Sequence, residues 1–178
     1  GYTCAPGCSY TVFLLLFCLA CPGRGLLFLR KFWYHRKKSE QVIKVHVVLV
    51  EPEIPQNTGN VARTCALTQT TLHLVKPLGF SLEDRYLKRA GLDYWDKVEV
   101  KVWDSFDNLL AVYPGRSYFL ATTKSKQRYT DVRYKKGDFI VFGKETQGLP
   151  GELLERFSQS LIRIPMVDIG RSLNLSNA

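Results

Sequence analysis

The sequence predicts an α/β fold, a mostly parallel β-sheet with helices on both faces. Short apolar runs of strand length, such as Val45–Val50 and Phe139–Phe142, recur along the chain. Segments with the 3.6-residue apolar spacing of helices separate them. No internal repeat, low-complexity tract or long linker interrupts residues 44–178, so one domain is expected there. Continuous apolar strands suit burial on both faces, and strands that alternate with helices pair in parallel across crossovers.

The elements follow in order. Val45–Val50 ends at Glu51-Pro52 and reads as the first strand. Residues 57–60, Asn-Thr-Gly-Asn, open a helix in which Val61, Cys65 and Ala66 have helical spacing. Thr71–Val75 is a second strand, stopped by Pro77 and Gly79. Ser81 caps a helix to Ala90, with Leu82, Tyr86 and Leu87 on one face and Gly91 ending it. Val98–Trp103 alternates apolar and polar residues as a third strand should. Asp104 is the expected cap of a helix over Ser105–Val112. Tyr118–Ala121 and Phe139–Phe142 are further buried strands. Pro150-Gly151 starts a helix through Phe157, and Leu161–Ile164 is the last strand.

At 178 residues the chain can bury a full core. Its charge of +9 is unevenly spread. No acid precedes Glu40, whereas residues 1–39 hold Arg24, Arg30, Lys31, Arg36, Lys37 and Lys38, which leaves +3 for residues 40–178. That body is mildly basic, compatible with RNA without being diagnostic of it. Cys4, Cys8, Cys18 and Cys21 fall in the first segment and only Cys65 in the body. Their spacing resembles a zinc site, but the apolar stretch Val12–Phe17 between the two pairs argues against one, and no metal is expected. Cys65 reads as a small buried apolar residue, and the scarcity of cysteine fits a reducing cytoplasm. The apolar run Tyr10–Cys21 is too short to cross a bilayer and lacks the basic start of a secretory signal, so no membrane role is expected. Residues 1–43 read as an extension outside the fold.

Several common α/β sites are excluded. Glu51–Asn60 stands where a dinucleotide fold needs Gly-x-Gly-x-x-Gly. Residues 143–145, Gly-Lys-Glu, do not make a P-loop, and no Gly-x-Ser-x-Gly elbow exists. His35, His46 and His73 lack metal or triad spacing, and His46, inside an apolar strand, reads as a satisfied core histidine.

Three unusual segments remain: Glu51–Asn60 followed by Arg63, Phe142–Pro150, and Ile164–Met166 with Arg171–Ala178. In this order and spacing they resemble the three signature motifs of the SPOUT (trefoil-knot) RNA methyltransferases. Arg89–Tyr94 is similar to a stretch particular to the members that modify cytidine or uridine 34 of tRNA. The resemblance covers residues 45–178. It implies a C-terminal trefoil knot, a homodimer whose active sites draw on both subunits, and S-adenosylmethionine as cofactor. The activity it implies is methylation of a tRNA ribose 2′-hydroxyl, at wobble nucleotide 34 in the anticodon stem-loop. Another tRNA or ribosomal ribose, or a non-catalytic RNA-binding role, are the alternatives.

Position by position, the resemblance places cofactor contacts at Ala121, Thr122, Gly143, Ile164, Met166, Ser172 and Leu173. Asn57, Arg63, Glu145, Ser172 and Asn174 fall at its catalytic positions. Arg63 there either receives the 2′-hydroxyl proton or clamps a phosphate, and Glu145 fixes its loop by accepting backbone N–H bonds. Read without the resemblance, Ile164 and Met166 are equally ordinary core residues, and Gly143 and Gly148 a generic turn. Lys124, Lys126 and Arg128, with Tyr129, form a basic, aromatic-containing loop that suits an RNA backbone or is simply solvated. The chain ends at Ala178, where the resemblance would begin a final helix that closes the knot.

Overall fold

The structure, a computed structural model, describes residues 44–82, 95–167 and 172–178. Its strands are β1 (His46–Val50), β2 (Thr71–Val75), β3 (Val100–Trp103), β4 (Tyr118–Ala121), β5 (Phe139–Phe142) and β6 (Leu161–Ile162). They make one sheet in the order β3-β2-β1-β5-β4-β6, and every pairing is parallel. Successive side chains point to opposite faces. One face therefore presents Val48, Val50, Val75, Tyr118, Leu120, Phe139 and Val141, packed with Phe106, Leu109, Leu153 and Leu154 of helices α2 (Phe106–Val112) and α3 (Gly151–Arg156). The other presents Leu49, Leu72 and Leu74 to Ala62 and Cys65 of α1 (Pro55–Thr68). Each fully buried Leu or Phe in these layers contributes about 2 kcal/mol. Both faces are covered, which is why the central strands are largely apolar rather than alternating.

Several boundaries differ from the sequence expectation, each for a local reason. Helix α1 begins at Pro55, two residues before Asn57. Proline suits the first helical position, where its fixed φ and missing N–H cost nothing. The cap of α2 is Ser105, whose Oγ accepts the Asn108 N–H at 3.2 Å, while Asp104 turns outward to Lys76 Nζ at 2.8 Å. The third strand starts at Val100, because Trp95–Lys97 forms a 3-10 turn just before it. The last strand stops at Ile162, with Arg163 making only an isolated bridge to Arg128 and Pro165 following without an N–H. Most of the helix expected from Ser81 to Ala90, the Arg89–Tyr94 stretch, Arg171 and the extension 1–43 lie outside the described residues. So do residues 168–170.

Cys65 is buried, and that burial pushes its thiol up to about 12, so it stays protonated and inert. His46 has a partner the sequence did not reveal. Its Nδ1 lies 2.9 Å from His73 Nε2, and His73 Nδ1 lies 3.0 Å from Trp103 Nε1. An indole N–H only donates, so His73 Nδ1 must accept and its proton must sit on Nε2, donated to His46. Phe139 stacks on His46 at 4.4 Å, and the Tyr113 ring meets His73 edge-on at 5.6 Å.

Candidate active site

Strand order reverses between β1 and β5. The chain leaves β1 for α1 on one face and β5 for α3 on the other, so the segments after the two strands part at their carboxyl ends. Ligands of open α/β sheets bind in such crevices. Here the crevice holds a cavity of about 570 Å³, within the size range of small-molecule sites. Its walls come from the ends of β4, β5 and β6 and from residues 172–175.

The segments after β1 and β5 are cross-braced. Glu145 Oε2 accepts the Glu53 N–H at 2.8 Å, and Oε1 accepts the Ile54 N–H at 3.3 Å and the Asn57 side-chain amide at 3.0 Å. Two of those donors lie just ahead of α1 and the third is on its first turn. In return Glu53 Oε2 accepts from the Thr146 N–H at 3.2 Å and its hydroxyl at 2.8 Å. Lys144 Nζ donates to Glu51 Oε2 at 2.9 Å, which raises the lysine pKa. Glu51 itself sits at φ 52°, in the left-handed region, and this turns the chain out of β1.

The turn that follows β5 requires glycine twice. A Cβ on Gly143 would lie 2.1 Å from the Gly148 carbonyl carbon and 2.2 Å from Leu149 N, so the two backbone segments touch where a side chain would stand. Gly148 has φ 72°, and its N–H donates to Lys144 O at 2.9 Å to close the turn. This pinch leaves main chain, rather than side-chain bulk, facing the cavity.

Ala121, Thr122, Gly143, Ile164, Met166, Ser172 and Leu173 all line the cavity, as do Asn57, Glu145 and Asn174. Asn174 Oδ1 also accepts from Ser176 N at 2.9 Å and Ser176 Oγ at 2.7 Å, capping the 3-10 turn Leu175–Asn177. Arg63 is not among the lining residues; it is exposed on α1. Glu51, Glu53, Lys144 and Thr146 carry no individual signal in the sequence and meet only through the fold. Arg163, in sequence one polar residue at the end of a strand, lines the cavity with its Nε buried and without a hydrogen-bond partner. Among the described residues no group of three His, Cys, Asp or Glu could hold a metal ion, and no helix is long and apolar enough to cross a membrane.

A parallel α/β sheet whose switch-point cavity is lined by residues of three separate sequence motifs defines an α/β protein with a small-molecule site. The SpoU rRNA Methylase family matches residues 44–178, and the chain belongs to that family. It is similar to the tRNA (cytidine(34)-2′-O)-methyltransferase of Burkholderia cenocepacia, 51% identical over 136 residues, which are 74% of this chain and 86% of the relative. The protein of that description from Methylovorus glucosotrophus is 50% identical over 133 residues, 74% of this chain and 86% of its own. A solved structure described as "Structural insights into the 2-OH methylation of C/U34 on tRNA" superposes with a TM-score of 0.73 at 45% identity, covering 76% of this chain and 89% of that one.

Proposed function

We infer that the chain transfers the methyl group of S-adenosylmethionine to the ribose 2′-hydroxyl of nucleotide 34 in tRNA. The observation that carries this reading is the convergence of three distant motifs on one cavity at the switch point. The names and identities of the relatives support the choice of tRNA and of position 34.

The cavity fits the cofactor. Where Gly143 and Gly148 pinch together, adenine can approach main-chain N–H and C=O groups directly. Leu149, Ile164, Met166 and Leu173 supply apolar wall for a nucleoside and a thioether chain. Bound there, S-adenosylmethionine supplies an electrophilic methyl on a cationic sulfur, open to in-line displacement by a ribose oxygen. The chain's own work is then alignment. Glu145 holds the start of α1 against the turn after β5. Ser172 and Asn174 orient hydroxyls at the cavity floor.

Arg63 acts on the RNA side, holding a phosphate with its planar guanidinium or receiving the 2′-hydroxyl proton. It does not line this cavity, and a homodimer is the arrangement that would give it an active site to face. The folded unit in this reading is residues 44–178, with 1–43 outside it, and its compartment is the cytoplasm. Labelled S-adenosylmethionine with total tRNA, followed by nucleoside mass spectrometry, tests the reading. A 2′-O-methylated pyrimidine from the anticodon loop is expected; label on a base or on ribosomal RNA alone would refute it.

A further inference from the structure

The segment from Lys124 to Lys136, between β4 and β5, carries six cations, Lys124, Lys126, Arg128, Arg133, Lys135 and Lys136, against one acid, Asp131. All six are exposed. The rest of residues 40–178 holds thirteen cations against fifteen acids, so this one segment makes the body of the chain basic. Elsewhere Lys76, Lys101, Lys144 and Arg156 are taken up in ion pairs, whereas none of the six is ion-paired among the described residues. The acids beside them are committed to backbone. The Asp131 carboxylate accepts the Arg128 N–H at 3.3 Å, and Asp138, buried, accepts the Lys135 N–H at 2.7 Å.

A merely solvated loop would not be pinned as this one is. Ser125 Oγ donates to Leu161 O at 2.8 Å, Arg163 N donates to Gln127 O at 2.8 Å, and Tyr129 N donates to Arg163 O at 3.0 Å. Tyr134 donates its hydroxyl to Tyr129 O at 2.9 Å and sets its ring edge-on to Phe119 at 5.1 Å. The backbone thus runs alongside the exit of β6 while the cations remain in water. At the near end Lys124 and Arg163 line the cavity itself, and the buried Arg163 Nε is a donor still lacking an acceptor. Buried donors are ordinarily paired.

We propose that this strip, from Lys136 through Arg133, Arg128 and Lys126 to Lys124 and Arg163, holds the sugar–phosphate backbone of the tRNA substrate and leads the target nucleotide to the cavity. The inference rests on the activity proposed above and names its docking surface. Unpaired cations on an anchored backbone suit a polyanion, because each phosphate contact releases counterions. Tyr129, 44% exposed among them, offers a ring for a neighbouring base.

The test is tRNA binding by the full chain across a salt series, with Lys126→Ala/Arg133→Ala/Lys136→Ala beside the unaltered protein. None of the three lines the cavity. The triple variant is expected to bind tRNA roughly tenfold or more weakly, with a log–log salt slope shallower by roughly 2, at about 0.7 per lost phosphate contact. Its melting temperature and its affinity for S-adenosylmethionine should match the unaltered chain, and Lys126→Arg/Lys136→Arg should keep the slope. An unchanged slope in the alanine variant would overturn the surface even if methyl transfer to nucleotide 34 stands. A chain whose tRNA binding depends on these cations but which transfers no methyl group would retain the surface and refute the activity.

Discussion

Glu145 and Asn57, 88 residues apart, meet at 3.0 Å, and the same carboxylate accepts two backbone N–H groups at the entry to α1. One side chain therefore ties the start of a helix to the turn after β5. Glu145→Gln keeps the shape but places an NH2 against those donors. It is expected to lose about 2 kcal/mol of stability, the worth of a charge-assisted hydrogen bond, and to slow methyl transfer at least tenfold. Thermal unfolding and a labelled-methyl assay measure the two effects; a variant unchanged in both would remove the brace from the account.

Gly143 and Gly148 should differ sharply. Gly143→Ala puts a Cβ within 2.1 Å of backbone, which only opening the turn can relieve. A cost of roughly 3 kcal/mol and loss of calorimetric binding of S-adenosylmethionine are expected. Gly148→Ala meets no atom within 4 Å and strains only φ, so it should cost about 1 kcal/mol and retain binding.

The His46–His73 pair, with His73 fully buried and His46 partly so, makes stability depend on pH. Burial first, and then the neighbouring His46, lower the His73 pKa from 6.5 to about 3; burial, followed by Lys101, lowers that of His46. The fold favours the neutral rings, so their contribution is complete above about pH 6.5. It is lost progressively as pH falls from 6.5 toward 3, because the unfolded chain then binds protons that the native chain refuses. Urea unfolding at intervals between pH 7 and pH 5 should show stability falling with acid, approaching about 1.4 kcal/mol per pH unit for His73 at the acid end. His73→Gln, which cannot take up a proton there, should flatten that limb.

Ser105→Ala should destabilise the chain by about 1 kcal/mol through loss of the α2 cap. Asp104→Ala, removing an exposed carboxylate that faces Lys76, should leave the melting temperature nearly unchanged. Paired thermal melts separate the two, and the reverse ranking would return the cap to Asp104.

That pair shows where sequence reading stops. Asp104 and Ser105 are both good caps, and only the φ of 105 and the pull of Lys76 from the neighbouring strand decide between them. Apolar runs such as Phe139–Phe142 announced strands covered on both faces, because cover on two sides favours apolar residues at nearly every position. The three motifs were legible as unusual segments, and each contributes residues to the cavity lining. Strand order, the Glu53–Thr146 brace and the His46–His73–Trp103 chain were not legible, since each joins residues with no periodic or spacing relation. Arg63 was legible as a motif residue, yet its place on an exposed helical side, away from the cavity lining, follows from the rotation of α1. Arg163 was hidden because an arginine at the end of a short strand looks like solvent-facing polarity.

The most direct test of the central claim uses two synthetic tRNAs that differ only at nucleotide 34, one with a ribose and one with a 2′-deoxyribose there. With labelled S-adenosylmethionine, the chain is predicted to label the first at the 2′-oxygen of nucleotide 34 and to leave the second unlabelled. Equal labelling of both would contradict it.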